Sequence, residues 1–238
     1  MPANQFDRYA ISYSQNRDIQ KKIAQKLLRM AAVEQYKRIV DIGCGDGAVY
    51  EECGGLQELF LGVDSSPKMC DLHRSHGGCT VLCGDFDDPG VALEIKERFG
   101  KFDLLVSSSA LQWSRNLPNT ILELSGIARD FAIAIFTRGT FVSIRKCVGV
   151  NSFLPTVDDV KNSFASFCVK ELFVESYKKE FDTPRDALRF IKTTGVSGGA
   201  NSISYKQAKK LYTDGPSVLE FEVVYLVGSF EKSDFSIS

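Results

Sequence analysis

Asp41 stands two residues before the run Gly43-Cys44-Gly45-Asp46-Gly47, and further acids follow at Asp64 and Asp85, the last adjoined by Phe86. Glycines directly after an apolar run let the backbone turn sharply and let a ligand lie against bare main chain. Asp64 closes the apolar stretch 59–63 about twenty residues later, the spacing at which a carboxylate accepts hydrogen bonds from both hydroxyls of a ribose. Asp85-Phe86 closes a third such stretch, 80–84. The chemistry implied is recognition of an adenosine-bearing ligand. Because Gly43-x-Gly45-x-x-Ala48 also fits the looser dinucleotide fingerprint, a nicotinamide dehydrogenase stays open on this loop alone.

A second group lies at Ser107-Ser108-Ser109-Ala110-Leu111-Gln112-Trp113, polar side chains and the only Trp after a strand-like 102–106. A Trp there can either shield a cation with its ring face or pin the following helix to a sheet. Cys70, His73, His76 and Cys79 offer metal-type ligands at equal spacing. Three residues advance roughly 300° around a helix, so Cys70 and Cys79 fall on opposite faces and only an unwound segment brings the four together. The expectation is a solvated helix end with one core cysteine, and no metal.

The elements that must position these groups follow from periodicity. Ile19, Ile23, Leu27 and Met30 mark an amphipathic helix over 18–32. Strands at 39–42, 59–63, 80–83, 102–107 and 131–137 alternate with helices at 47–54, from Ser65-Ser66-Pro67, at 89–98 and at 118–128. Beyond Arg138 come an irregular, partly helical 139–168, a strand at 169–177, helices opened by Thr183-Pro184 and at 204–212, and a strand at 219–227. The fold class is α/β: a three-layer, doubly wound, Rossmann-like sheet of five parallel strands plus two late ones. The 238 residues form one domain, with 1–32 as N-terminal flap and helix and 139–168 and 178–215 as substrate-cover additions.

A net charge of -1 gives no global basic excess for nucleic acid. No apolar run approaches a membrane span and the first residues lack a signal core, so the chain reads as cytoplasmic and not membrane-bound. Seven cysteines without a paired framework suit reduced thiols.

The acid before the loop, the Gly-x-Gly-x-Gly pattern and Asp85-Phe86 together resemble the class I methyltransferase series. That resemblance implies S-adenosylmethionine as cofactor, with Asp41, Gly43, Cys44, Gly45, Asp64, Ser65, Asp85, Phe86 and Ser107 around it. More narrowly, Phe6-x-Arg8-x-Ala10-x-x-Tyr13, Leu111-Gln112-Trp113, Asn151-Ser152-Phe153-Leu154-Pro155 and Ala187-Leu188-Arg189-x-Ile191-Lys192-x-x-Gly195 resemble the BioC-type malonyl-[acyl-carrier-protein] O-methyltransferases of biotin synthesis. The Pro-Gly-Gly turn common before the fifth strand is absent, as is the Asn-Pro-Pro-Tyr element associated with methylation of nucleobase amino groups.

The narrower resemblance implies methyl esterification of the free carboxylate of a malonyl thioester on acyl carrier protein. Tyr13, Gln112 and Trp113 would wall the transfer pocket, and Arg145 or Arg189 would grip the carboxylate. The carrier is acidic, so a basic docking face is expected from Lys22, Lys26 and Arg29 or from Lys206, Lys209 and Lys210, on a monomer. Esterification of a free small carboxylic acid or another metabolite, and a non-catalytic S-adenosylmethionine-binding module, are the alternatives.

Overall fold

The computed structural model describes residues 18–55, 57–74, 77–193 and 204–232. Helix α1, Asp18–Ala31, buries Ile19, Ile23, Leu27 and Leu28 on one stripe, as their spacing requires. A 3-10 turn, Val33–Gln35, leads into the central strand β1, Arg38–Ile42. Then come α2, Ala48–Cys53; β2, Leu59–Asp64; α3, Pro67–Arg74; β3, Thr80–Cys83; α4, Pro89–Phe99; and β4, Phe102–Ser108. Helix α5, Leu117–Leu124, and strand β5, Ala128–Phe136, complete the alternating part.

The late region contains α6, Val142–Val148; α7, Val157–Ser163; β6, Phe167–Glu180; α8, Pro184–Thr193; α9, Tyr205–Asp214; and β7, Val218–Lys232. Thr156 and Asp159 form a reciprocal capping box that starts α7 inside the segment expected to be irregular and partly helical. Helix α5 stops before residue 128. A turn through Gly126 ends it, and Ala128 already pairs with Phe102. Strand β6 extends beyond 169–177 because β7 pairs with it along its length, past two register irregularities.

The sheet order is β3-β2-β1-β4-β5-β7-β6. Pairs among β1 to β5 are parallel, and β7 runs antiparallel to both β5 and β6. One face is covered by α1, α2 and α8, the other by α4, α5 and α7. The strand order reverses between β1 and β4, so the loops after these strands diverge and leave a crevice at their carboxyl ends. Helix α8, within the expected substrate cover, sends Ala187, Phe190 and Ile191 into the core, with Phe190 6.3 Å from the Phe221 ring.

The end of α3 is not solvated at His73. Its imidazole is fully buried beside Phe60 and Tyr50. A Cβ on Gly62 would lie 2.6 Å from the imidazole, so the bare glycine in β2 makes the room. Among the described residues no group of His, Cys, Asp or Glu converges to hold a metal, and no helix is long and apolar enough to cross a membrane.

Candidate cofactor site

The glycine loop turns back over β2: the amides of Gly43 and Cys44 both donate to the Val63 carbonyl, at 2.8 and 3.0 Å. Gly43 has φ +74°, and a Cβ there would stand 2.1 Å from the Ala110 Cβ, so conformation and space both demand glycine. Asp64 braces the loop. Its Oδ2 accepts from the Gly45 amide and its Oδ1 from the Ser66 amide, each at 2.9 Å. Ser66 Oγ accepts from the Met69 amide and Pro67 opens α3, a start signal written in Ser66-Pro67.

These loops enclose a cleft of about 660 Å³. Gly43, Gly45, Asp64 and Ser65 form one side; Asp85, Phe86 and Asp87 a second; Ser108, Ser109, Ala110 and Trp113 a third, with Met69 beneath. Three aspartates line it, and among the described residues no Lys, Arg or His does. Such a field favours a cationic ligand and repels the pyrophosphate of a dinucleotide. The Oγ atoms of Ser108 and Ser109 and Oε1 of Gln112 are buried without a hydrogen-bond partner among the described residues. Ser109 is also held at φ +63°, an uncommon conformation for a non-glycine residue and one that clusters at functional sites. Unpaired buried acceptors beside an acidic, glycine-floored cleft fit an adenosine-bearing sulfonium with its hydroxyl and ammonium donors.

Asp87, which the sequence reading passed over, ties two walls together. Its carboxylate accepts from Ser114 Oγ at 2.9 Å, Thr120 Oγ1 at 2.6 Å and the Arg115 amide and Nε at 2.8 and 3.2 Å. Burial alone would raise its pKa, but these hydrogen bonds outweigh that and hold it below the usual value. Its stabilising contribution is therefore complete above the unfolded aspartate pKa, about 3.9, and lost as pH falls through the lower folded value. Asp87→Ala is expected to lower unfolding free energy at neutral pH by roughly 2–3 kcal/mol in urea titrations. The gap from the unaltered protein should close in acid, and a pH-independent gap would contradict this account.

The other expected site residues divide. Gly43, Gly45, Asp64, Ser65, Asp85, Phe86 and Trp113 reach the cleft. Ser107 does not: its hydroxyl is fully buried and donates to the Ile42 carbonyl at 2.8 Å, joining β4 to β1, while the next two serines face the ligand side. The Cys44 thiol points away from the cleft, so that a Gly62 Cβ would lie 2.9 Å from it, and burial keeps it protonated. Asp41 is sealed on the α1/α2 face of β1 with neither carboxylate oxygen partnered among the described residues, and burial, then nearby Asp64, push its pKa well up.

Gln112 sits behind the wall and donates through Nε2 to the Ser109 carbonyl at 2.6 Å. Trp113 stacks on Phe153, ring centres 5.2 Å apart, which makes Phe153 the outer member of that wall. Neither expected carboxylate-gripping arginine lines the cleft. Arg145 donates to the Thr140 and Arg138 carbonyls and braces the turn after β5, whereas Arg189 is exposed beside Asp186 at 3.5 Å. Tyr13 and the Gly195 turn lie outside the described residues.

Residues 40–136 match the family described as "Methyltransferase domain". The chain is 27% identical over 207 residues to the malonyl-[acyl-carrier protein] O-methyltransferase of Acinetobacter baylyi, covering 82% of this chain and 78% of that one. It is 26% identical to the protein of that name from Calditerrivibrio nitroreducens, with the same coverage. Among solved structures, the YcgJ protein of Bacillus subtilis superposes with TM-score 0.62 at 13% identity, covering 85% of this chain and 97% of that one. The Synechocystis magnesium protoporphyrin IX methyltransferase with bound SAH superposes with TM-score 0.58 at 12% identity, covering 94% of each. Strand order, glycine loop, acid series and these likenesses converge on one description: residues 40–136 match a methyltransferase domain, carried on the Rossmann-like fold of the class I methyltransferases.

Proposed function

We propose that the protein uses S-adenosylmethionine to esterify the free carboxylate of a malonyl thioester carried on acyl carrier protein, an early step of biotin synthesis. The observation that carries the reading is the extent of the likeness to enzymes of that name: 207 aligned residues, far more than the generic segment 40–136. Gly43, Gly45, Asp64, Asp85 and Phe86 would hold the cofactor, which when bound supplies an electrophilic methyl group on a sulfonium.

The site needs no general base. A carboxylate of pKa about 4 is already ionised at neutral pH, so its oxygen is a ready nucleophile. What remains for the chain is alignment and exclusion of water. The stacked Trp113–Phe153 pair and Ala110 supply an apolar wall for that purpose. Because cation and anion neutralise each other during transfer, a drier site favours the reaction. The absence of any basic side chain from the described cleft lining disfavours tight capture of small free diacids and leaves the carrier to deliver the substrate.

The test is a substrate panel with labelled methyl donor: malonyl thioester on acyl carrier protein, malonyl thioester of a small thiol, and free short-chain acids. Methylation of the thioesters in preference to the free acids is expected. Turnover on free acids alone would replace the substrate, and cofactor binding without turnover on any carboxylate would favour a binding module.

A further inference from the structure

Of the three α1 cations named from the sequence, Lys22 and Arg29 are exposed and Lys26 is not. On α1, Lys26 is committed inward: its ammonium pairs with Glu175 at 2.8 Å and lies 4.2 Å from the Phe173 ring, fastening the helix to β6. Lys21 pairs with Glu52 at 3.2 Å. Helix α9 differs. Lys206, Lys209 and Lys210 are exposed, as is Lys146 on adjacent α6, and among the described residues none of the four pairs with a carboxylate.

Lys146, Lys206 and Lys210 line a cleft of about 640 Å³ between α6 and α9 that has no acidic side chain among the described residues. Its floor is fixed by Gln207 Nε2 and Lys210 Nζ, which donate to the Val148 and Cys147 carbonyls at 2.8 Å each. On the same helix Tyr205 is 86% exposed, and the Arg185 guanidinium of α8 lies 5.6 Å from the Tyr212 ring.

We infer that the α6–α9 face, with Lys146, Lys206, Lys209 and Tyr205, docks the acidic surface of the carrier protein. Unpaired lysines around an exposed aromatic are the charge and contact chemistry that an acidic helix fits: the lysines steer encounter and the ring supplies apolar contact. The position suits delivery. Helix α6 follows the carboxyl end of β5, and α9 leads into β7, whose Val223 pairs with Phe136 at that same end. The cofactor cleft opens on the same edge of the sheet. The inference rests on the carrier-borne substrate proposed above and adds where the carrier sits.

Binding of purified acyl carrier protein, measured by fluorescence anisotropy at low and high salt, tests the face without requiring turnover. K146E/K206E/K209E is expected to weaken binding roughly tenfold or more and to flatten its salt dependence. The corresponding triple glutamine variant should lose less, and K22E/R29E on α1 should bind as the unaltered protein does. Thermal unfolding confirms that each variant is folded. Undiminished carrier binding by the triple glutamate variant, an equal loss in K22E/R29E, or no carrier binding by the unaltered protein overturns the inference. Methyl transfer to the small-thiol thioester is read in parallel. Its absence in the unaltered protein counts against the substrate, while carrier affinity alone decides the face.

Discussion

Gly43→Ala is expected to destabilise the protein by roughly 2–5 kcal/mol and to remove measurable binding of S-adenosylhomocysteine. Two independent costs combine. A non-glycine residue at φ +74° gives up roughly 1–2 kcal/mol, and forcing a methyl into a packed site typically costs a further 1–3 kcal/mol. Relief of the second cost requires either Ala110 or the loop to move, and both line the cleft. Denaturant titration and isothermal calorimetry read the two effects. Ala110→Gly placed on the Gly43→Ala background should recover part of the stability, since it removes the overlap and leaves the backbone strain. Native-like stability and affinity in the single variant would show that the loop is neither strained nor crowded.

Asp64→Ala should weaken cofactor binding by roughly 2–3 kcal/mol, the scale for hydrogen bonds to a charged acceptor, or about 30- to 150-fold in Kd. The carboxylate both faces the cleft and receives the Gly45 and Ser66 amides, so its removal takes away a ligand acceptor and loosens the loops on either side. Asp64→Asn keeps an acceptor oxygen but discards the charge, and an intermediate loss is expected. Calorimetry with S-adenosylhomocysteine decides, and an unchanged Kd in the alanine variant would remove Asp64 from the binding surface.

The gathering of the glycine loop and its acids around one cleft was readable because their placement is local. Gly43 and Gly45 follow a strand directly, and Asp64 and Asp85 close the next two, so linear order becomes position at the sheet edge. The parallel core was legible for the same reason, through apolar runs separated by helical periods. Ser107 shows where such reading stops. Of three consecutive serines at a strand end, Ser107 joins β4 to β1 while Ser108 and Ser109 line the cleft, a division that depends on the register with β1 and on the turn at Ser109. Asp87 was hidden because its partners lie 27 to 33 residues away. The arginines failed differently: the bracing of Arg145 depends on a turn whose carbonyl directions no composition reveals. His73 escaped because the space for it comes from a missing side chain on another strand, Gly62.

The antiparallel insertion of β7 between β5 and β6 has a consequence for synthesis on the ribosome. Strands β1 to β5 can assemble as they emerge, but β6 has no neighbour until the much later segment 218–232 arrives. That segment also brings Glu222, whose carboxylate receives Thr137 Oγ1 and the Gly139 amide at 2.6 and 2.9 Å and fastens the turn that launches α6. A nascent chain thus carries its glycine loop and acids well before the rest of the edge is anchored. The final strand works as the closing stitch: until it is drawn through, the cleft between the glycine loop and β4 has no settled bank on its far side.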